Sequence, residues 1–317
     1  MSDSYYFWLK WLLIFVHKST SMKKSMLLFL LTSLVAFQTS AQSFDQLKKL
    51  EGYQVKIYCS AANEQTAISI AARLDRAYVY NSKLLDFSPD VTVLILSAAD
   101  WRTYTKFAVY GMPHYSNDKI LIVAAEDNAF WKSFVPPLDQ LPKGLGERIK
   151  QTYRQPDSSL SMQAFFDLLA IHELGHAFHM QAGLTMQRKW MGELFVNILL
   201  HTYIAEKEPA QLPALTIFPE MVVAKGTKGF IYTSLPDIEE KYEEITRQHP
   251  NNYGWYQSRW HSSAANIYTS GGKQVLKKLW DAFKNQKVKL TDEELILFLD
   301  RSVDKTVADV MRNWNQK

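Results

Sequence analysis

The stretch AIHELGHAFHMQAG, residues 170–183, carries two histidines four positions apart, with a glutamate directly after the first. Side chains four positions apart on an α-helix lie one above the other, so His172 and His176 can offer ring nitrogens to one Zn²⁺ at about 2.0–2.1 Å. Glu173 would then lie beside the metal without binding it, where a general base can take a proton from water. The spacing predicts a metal site with hydrolytic chemistry on this helix.

A catalytic zinc needs a third protein ligand and an open position. His179 lies near the same helical face, but seven residues, about 10 Å of rise, separate it from His172, so we interpret it as a supporting or surface histidine. A metzincin would have glycine and histidine at the positions of His179 and Ala182, which excludes that class. Glu193, seventeen residues after His176, would reach the metal from a helix that runs back antiparallel. His172, His176 and Glu193 are therefore the predicted ligands.

Two polar residues follow Glu193 on the same predicted helix. Asn197, one turn later, suits either a hydrogen bond to a histidine ligand or an exposed position. His201, two turns later, is interpreted as a solvent-facing or packing histidine. Cys59 is the one cysteine of the chain, which excludes an intramolecular disulfide, and its strand-like surroundings predict a buried, inert thiol.

The histidine motif and the tryptophan-led WMGELFVN, residues 190–197, resemble the gluzincin metallopeptidases, specifically the compact peptidase MA-like group. The resemblance implies a strand–helix–strand start, an edge strand, the histidine helix, and a following helix that carries the third ligand. It also implies that an extended peptide binds antiparallel to the edge strand, for which DKILIVA, residues 118–124, is the matching segment. Leu194 and Phe195 depart from the family, which has glycine and a small residue after the glutamate.

The resemblance further implies that a tyrosine or histidine from the C-terminal part stabilises the oxyanion. In NNYGWYQSRWHSSAANIYTSGG, residues 251–272, Tyr256 matches the Tyr-x-x-Ser pattern of related families in part, because one residue fewer separates it from Ser258. His261 is the alternative, and Tyr253 ranks behind both. The same stretch also suits an aromatic core, with three further residues: Trp255, Trp260 and Tyr268.

β-branched and apolar residues predict three strands in the first half of the chain, at residues 52–60, 90–98 and 117–127. A helix, residues 63–87, separates the first two, and a turn-like segment, residues 111–118, leads into the third. Residues 135–160 are rich in proline and predict a connector with at most a short helix. Pro209, Pro213 and Pro219 are expected to break the helical pattern before a helical remainder, in which Thr291 and Glu294 predict a capping box.

The predicted fold class is α+β. A zincin-type α/β part with a mixed sheet and an edge strand occupies residues 42–160, the zinc-binding helices occupy residues 161–205, and a helical C-terminal lobe occupies residues 206–317.

The segment that begins at Met22 is typical of a secretory signal, with a basic start, an apolar centre and a small-residue cleavage site at Ala41. We therefore interpret residues 1–41 as a leader and Met22 as the true start. The apolar residues 5–16 are too few to span a bilayer. The expectation is an exported protein, periplasmic or extracellular, with no stable membrane insertion after cleavage.

Charge and motif together restrict the function. Without residues 1–41 the chain has 32 Lys and Arg against 31 Asp and Glu, which gives no electrostatic case for binding nucleic acid. The leading expectation is a zinc metallopeptidase with a peptide or protein substrate. Two alternatives stay open: a catalytically idle peptidase-like domain that binds peptides or a partner, and a zinc hydrolase of a non-peptide amide such as a cell-wall component.

Overall fold

The computed structural model describes residues 43–316, in which a five-stranded sheet precedes a mainly helical C-terminal part. The predicted leader, residues 1–41, lies outside the described residues. The strands are β1 (Lys48–Leu50), β2 (Lys56–Cys59), β3 (Thr92–Leu96), β4 (His114–Asn117) and β5 (Ile120–Ala124). The mixed α/β class with a helical C-terminal part is confirmed, and β1 is a strand that the sequence patterns did not predict.

The sheet is mixed, with the strand order β1-β2-β3-β5-β4. The central strands β2, β3 and β5 are parallel, and β1 and β4 pair antiparallel at the two edges. Val93 of β3 lies opposite both Ile57 of β2 and Leu121 of β5. All five residues of β5 are buried, as expected for a strand that is covered on both faces.

This strand order corrects the prediction for the edge strand. DKILIVA, residues 118–124, contains β5, which lies between β3 and β4 and has no free edge. The edge strand is instead β4, within the segment predicted as a turn, and a bulge interrupts its pairing between Tyr115 and Asn117. Its sequence, HYSN, is short and polar, which is typical of edges and hides the strand from an apolar pattern.

Four helices accompany the sheet: α1 (Glu64–Leu85), α2 (Ala98–Tyr104), α3 (Ala129–Ser133) and α4 (Lys143–Tyr153). Helix α1 confirms the predicted helix between the first two strands. The connector at residues 135–160 contains α4, an 11-residue helix that is longer than predicted. Burial of Ile149 and Tyr153 anchors α4, and the Tyr153 hydroxyl donates to the Ala214 carbonyl at 2.7 Å.

Two long helices form the centre of the molecule: α5 (Gln163–Gln181) and α6 (Trp190–Lys207). Gly183, at a φ of 63°, follows the end of α5, where a left-handed residue is common after a helix. Every residue of α6 from Trp190 to Ile204 is buried, so this helix is enclosed on all sides. A Cβ built on Gly175 of α5 would lie 3.1 Å from two side-chain atoms of Val196, which shows how closely the two helices approach.

The C-terminal part contains seven helices: α7 (Leu212–Ala224), α8 (Leu235–Glu240), α9 (Tyr242–Gln248), α10 (Pro250–Gly271), α11 (Gln274–Asn285), α12 (Asp292–Ser302) and α13 (Lys305–Arg312). The capping box of Thr291 and Glu294 is confirmed at α12. Pro219 does not break the helical pattern, because it lies inside α7, where burial of Ile217 and Met221 stabilises the helix despite the missing N–H.

The cysteine and the apolar character of the helices complete the description of residues 43–316. Cys59 is buried and has a free thiol, as predicted. None of the helices in this part of the chain combines the length and the apolar character needed to cross a bilayer.

Candidate metal centre

Three side chains from α5 and α6 meet at one point. His172 and His176 lie one turn apart on α5, and Glu193 lies in the first turn of α6, where the helix dipole favours a negative charge. One Glu193 carboxylate oxygen, Oε2, is 3.2 Å from His172 Nε2 and 3.7 Å from His176 Nε2. One ligand atom from each residue lies within 4.8 Å of the other two, so this buried group could hold a metal ion. The structure brings together the three predicted ligands.

The charges in this cluster would allow a metal ion to replace the proton of a histidine. Burial disfavours the charged forms of both His176 and Glu193, but their attraction and hydrogen bond, together with the His172 contact to Glu193 and the Glu173 charge near His176, outweigh it. As a result, the pKa of His176 is raised to about 9 and that of Glu193 is held well below its usual range. A metal ion that binds here would release the histidine proton and take over the neutralisation of the carboxylate.

Asn197 orients the first histidine. His172 Nδ1 is 3.0 Å from Asn197 Oδ1, while the Asn197 amide nitrogen donates to Gln257 Oε1 at 3.2 Å. An amide oxygen only accepts, so His172 carries a hydrogen on Nδ1 and directs Nε2 towards the cluster, where Nε2 can bind a metal when it holds no proton of its own. Of the two positions that the sequence allowed for Asn197, the hydrogen bond to a histidine ligand is confirmed.

His179 contacts His176 at Nδ1, the ring nitrogen that faces away from Glu193. Its Nε2 is 3.0 Å from His176 Nδ1. Burial and the charge of His176 lower the pKa of His179 to about 3, so it is neutral and can accept this hydrogen bond. This contact directs His176 Nε2 towards the cluster, where it can bind a metal once its proton is released. His179 thus lies against the predicted ligands, as interpreted from its spacing.

Two residues that sequence reasoning missed hold the Glu193 carboxylate. The Tyr242 hydroxyl of α9 donates to Oε1 at 2.9 Å, and Gln257 Nε2 of α10 donates to Oε2 at 2.8 Å. Tyr242 follows Glu193 by 49 positions and lies in a charged segment, KYEEITRQ, without any motif. The sequence contains a weak indication of Gln257, because this residue lies one helical turn after Tyr253 and shares a helical face with it.

Tyr253 is the tyrosine of α10 that reaches the cluster. Its hydroxyl oxygen accepts from Gln257 Nε2 at 2.7 Å and lies 3.1 Å from the Tyr242 hydroxyl. Burial raises the pKa of Tyr253 well above its usual range, and the charges of Glu193 and Glu173 raise it further. Tyr253 therefore stays protonated and keeps a proton to donate.

The structure does not bring Tyr256, the first choice for the oxyanion residue, to this cluster. Its hydroxyl donates to the Ser234 carbonyl at 2.8 Å, and its ring stacks on that of Trp314 at a centroid distance of 5.8 Å. One residue of an α-helix corresponds to a rotation of about 100°, so Tyr256 and the adjacent Gln257 point in different directions. Tyr256 belongs to an aromatic core, in which it also packs against Trp255 and Trp260.

His261, the alternative oxyanion residue, lies beside the cluster. Its ring is buried, with centroid distances of 6.1 Å to His172 and 5.6 Å to Phe165. Burial and the charge of His172 hold the pKa of His261 well below its usual range, so it is neutral. His201 is a packing histidine, as interpreted from the sequence, since its buried ring contacts Tyr268.

The Glu173 carboxylate lies near the ligands but is not tied to any of them. Burial raises its pKa, against the opposing charges of His176 and His172, and the charge of Glu193 adds to the increase. Within residues 43–316, no hydrogen bond or ion pair engages this carboxylate. From the edge strand β4, Tyr115 is close enough for the Glu173 charge to raise its pKa, although burial is the larger cause. A carboxylate without a fixed partner is available for proton transfer.

Comparison of the chain with models of protein families and with curated proteins finds no match. The donor set bears on which ions the cluster could hold. Two imidazole nitrogens and one carboxylate are a known ligand set of catalytic zinc, which keeps a fourth position for water or substrate. Hydrogen bonds with Asn197, His179, Tyr242 and Gln257 orient all three predicted ligands, as is typical of metal sites.

Proposed function

We propose that the chain is a gluzincin-type zinc metallopeptidase. The observation that carries this proposal is the buried cluster of His172, His176 and Glu193 with the unengaged Glu173 carboxylate beside it. Zinc bound there would supply a Lewis acid that polarises a carbonyl group and makes water acidic near neutral pH. The protein contributes the orientation of the ligands and the groups that move protons.

Glu173 is the general base of the proposed reaction. Its carboxylate takes a proton from the attacking water and passes it to the nitrogen of the leaving amine, so the bond between carbonyl carbon and nitrogen can break. Burial helps this role, because a raised pKa makes the carboxylate more basic than a solvent-exposed glutamate.

Tyr253 is the proposed donor to the oxyanion, in place of Tyr256. The proton of Tyr242 is committed to the Glu193 carboxylate, which can only accept, and the Tyr253 oxygen already accepts from Gln257. The Tyr253 hydroxyl therefore still has a proton to donate. Its hydrogen bond can switch from the Tyr242 oxygen to a substrate carbonyl oxygen as that oxygen gains charge. His261 is the alternative donor, because its neutral ring lies beside His172, at a centroid distance of 6.1 Å.

The edge strand supports a peptide as substrate. Strand β4, His114–Asn117, pairs on one side with β5, and no other strand of residues 43–316 pairs with its outer side. An extended peptide could add to this edge through backbone hydrogen bonds. Export to the periplasm or the extracellular space is proposed from the signal-like residues 1–41.

A comparison of Glu173→Gln with the wild type tests the proposed reaction. Zinc-loaded wild type should cleave a peptide mixture followed by mass spectrometry, and Glu173→Gln should keep its zinc while its cleavage rate falls by several orders of magnitude. Glu243→Gln, which alters an exposed glutamate of α9, is the control and should cleave at the wild-type rate.

Three results would overturn the proposal. An unchanged rate for Glu173→Gln would remove Glu173 as the base. Cleavage of cell-wall fragments, offered in parallel, without cleavage of any peptide would replace the peptidase by a hydrolase of non-peptide amides. Peptide binding without any cleavage by the zinc-loaded wild type would favour the idle binding domain.

A further inference from the structure

We propose that Gln257 is a positioning residue that fixes the orientation of two metal ligands, Glu193 and His172, at once. It contacts the carboxylate of Glu193 directly and reaches His172 through Asn197. No sequence motif marks this glutamine. The inference rests on the metal site and does not depend on whether the reaction is peptide cleavage.

Every polar group of the Gln257 side chain makes a hydrogen bond to a different residue. One N–H donates to Glu193 Oε2 at 2.8 Å, and the other donates to the Tyr253 hydroxyl at 2.7 Å. The carbonyl oxygen Oε1 accepts from Asn197 Nδ2 at 3.2 Å. Reversal of the amide would turn its oxygen towards the Glu193 carboxylate, which has no proton to give, so the neighbours allow one orientation only.

This orientation determines which ring nitrogen of His172 faces the metal site. Because Gln257 presents its oxygen to Asn197, the Asn197 amide nitrogen must face Gln257 and its oxygen must face His172. That oxygen holds the proton of His172 on Nδ1 and leaves Nε2 for the metal. Loss of the Gln257 oxygen would free Asn197 to rotate, and the correct ring orientation of His172 would lose its support.

Burial makes these contacts important for metal affinity. Glu193 is 8% exposed and Asn197 is fully buried, so solvent cannot replace the donors that Gln257 provides. Without Gln257, the Glu193 carboxylate would keep Tyr242 as its one neutral donor. Residues that orient metal ligands in this way typically contribute 10–100-fold to metal affinity.

Competition with a fluorescent chelator would measure the Zn²⁺ affinity of the full chain and its variants. Gln257→Met keeps a similar volume but has no amide, and Gln257→Glu keeps an acceptor for Asn197 but has no N–H for Glu193 or Tyr253. The control is Gln187→Met, because Gln187 is a buried amide that holds the backbone of Val288 and Leu290 and does not touch the cluster.

Both Gln257 variants should bind Zn²⁺ about 10–100-fold more weakly than the wild type. Gln187→Met should lower the melting temperature but leave the Zn²⁺ affinity within about threefold, since it loosens the fold without disturbing the ligands. In Gln257→Met, the additional change Asn197→Ala should cost much less affinity than it costs alone, because both residues act on His172 in one chain of hydrogen bonds.

Wild-type Zn²⁺ affinity in either Gln257 variant would overturn the role of Gln257 alone. An equal loss in Gln187→Met would also overturn it, because the effect would then come from general loosening. Failure of the wild type to bind Zn²⁺ would overturn the metal site and the role of Gln257 with it. Absence of peptide cleavage, by contrast, would count against the proposed function only.

Discussion

Asp167, on α5 five residues before His172, is a buried carboxyl group outside the metal cluster. It lines a small cavity together with Val123 and Ala124 of β5. Within the part of the chain that the structure describes, it has no hydrogen-bond or ion-pair partner. Burial raises its pKa to about 7, and attraction by the Arg73 charge offsets only part of that increase.

This raised pKa predicts a pH-dependent stability. Between its unfolded value of 3.8 and about 7, Asp167 is protonated in the fold and ionised in the unfolded chain, so its stabilising contribution is complete below pH 3.8 and is lost as the pH rises through 7. Asp167→Asn stays uncharged and should be more stable than the wild type at pH 8. One pKa unit corresponds to about 1.4 kcal/mol, which sets an upper limit of about 4 kcal/mol.

Denaturant unfolding of the metal-free protein at pH 4 and pH 8 would measure this difference. The control is Asp157→Asn. Hydrogen bonds from Ser159 lower the pKa of the exposed Asp157, so removal of the Asp157 charge should not stabilise the protein at pH 8. The explanation fails if Asp167→Asn is no more stable than the wild type at pH 8.

At the residue scale, the sequence predicted those candidate site residues whose positions depend on local spacing. His172, Glu173 and His176 follow from the geometry of one helix, and Glu193 follows from a short antiparallel return. Tyr242 and Gln257 depend on how α9 and α10 pack on α6, which no local pattern contains. Tyr253, and not Tyr256, lies at the cluster, and a partial motif match cannot tell which way a helix is rotated.

At the element scale, the contact between α5 and α6 sets the distance between the two histidines and Glu193. Gly175 is the close point, since a Cβ there would lie 3.1 Å from Val196 Cβ and Cγ1 and 3.5 Å from a Leu199 methyl group. Gly175→Ala should push the helices apart. Overpacking of this kind costs about 1–3 kcal/mol of stability, and the displaced Glu193 should weaken Zn²⁺ binding.

Gly254→Ala is the matched control for this prediction. Gly254 also lies inside a helix, α10, but an added Cβ would meet no atom within 4 Å. This change should stabilise the protein by up to about 1 kcal/mol through helix propensity and leave Zn²⁺ affinity unchanged. Unfolding midpoints and chelator competition would measure both effects, and identical results for the two alanine variants would contradict the close approach.

Elements were predictable where their own apolar pattern is strong. The buried strands β3 and β5, the helix α1 and the long helices α5 and α6 all have such patterns. The polar edge strand β4 and the proline-containing α7 do not, because pairing with β5 and burial against α10 stabilise them from outside. The position of β5 inside the sheet likewise depends on β4, so residues 118–124 could not be excluded as an edge by sequence alone.

At the scale of the whole molecule, the candidate metal centre joins the two parts of the fold. Glu173 and its neighbour Tyr115 lie on the side of the sheet, whereas Tyr242, Tyr253 and Gln257 come from the helical C-terminal part. A metal ion that binds the folded chain would stabilise both parts together. Free zinc at about 100 times the dissociation constant would add about 2.7 kcal/mol to the free energy of unfolding.

Zinc content and zinc-dependent melting of the purified chain test the central claim most directly. The wild type should bind one Zn²⁺ per chain through His172, His176 and Glu193, and its melting temperature should fall on chelation and recover with Zn²⁺ alone. Glu193→Ala should lose both the stoichiometric zinc and the recovery, while Glu206→Ala, which changes a glutamate at the far end of α6, should retain them. Wild-type protein without stoichiometric zinc, or Glu193→Ala with undiminished zinc binding, would contradict the account.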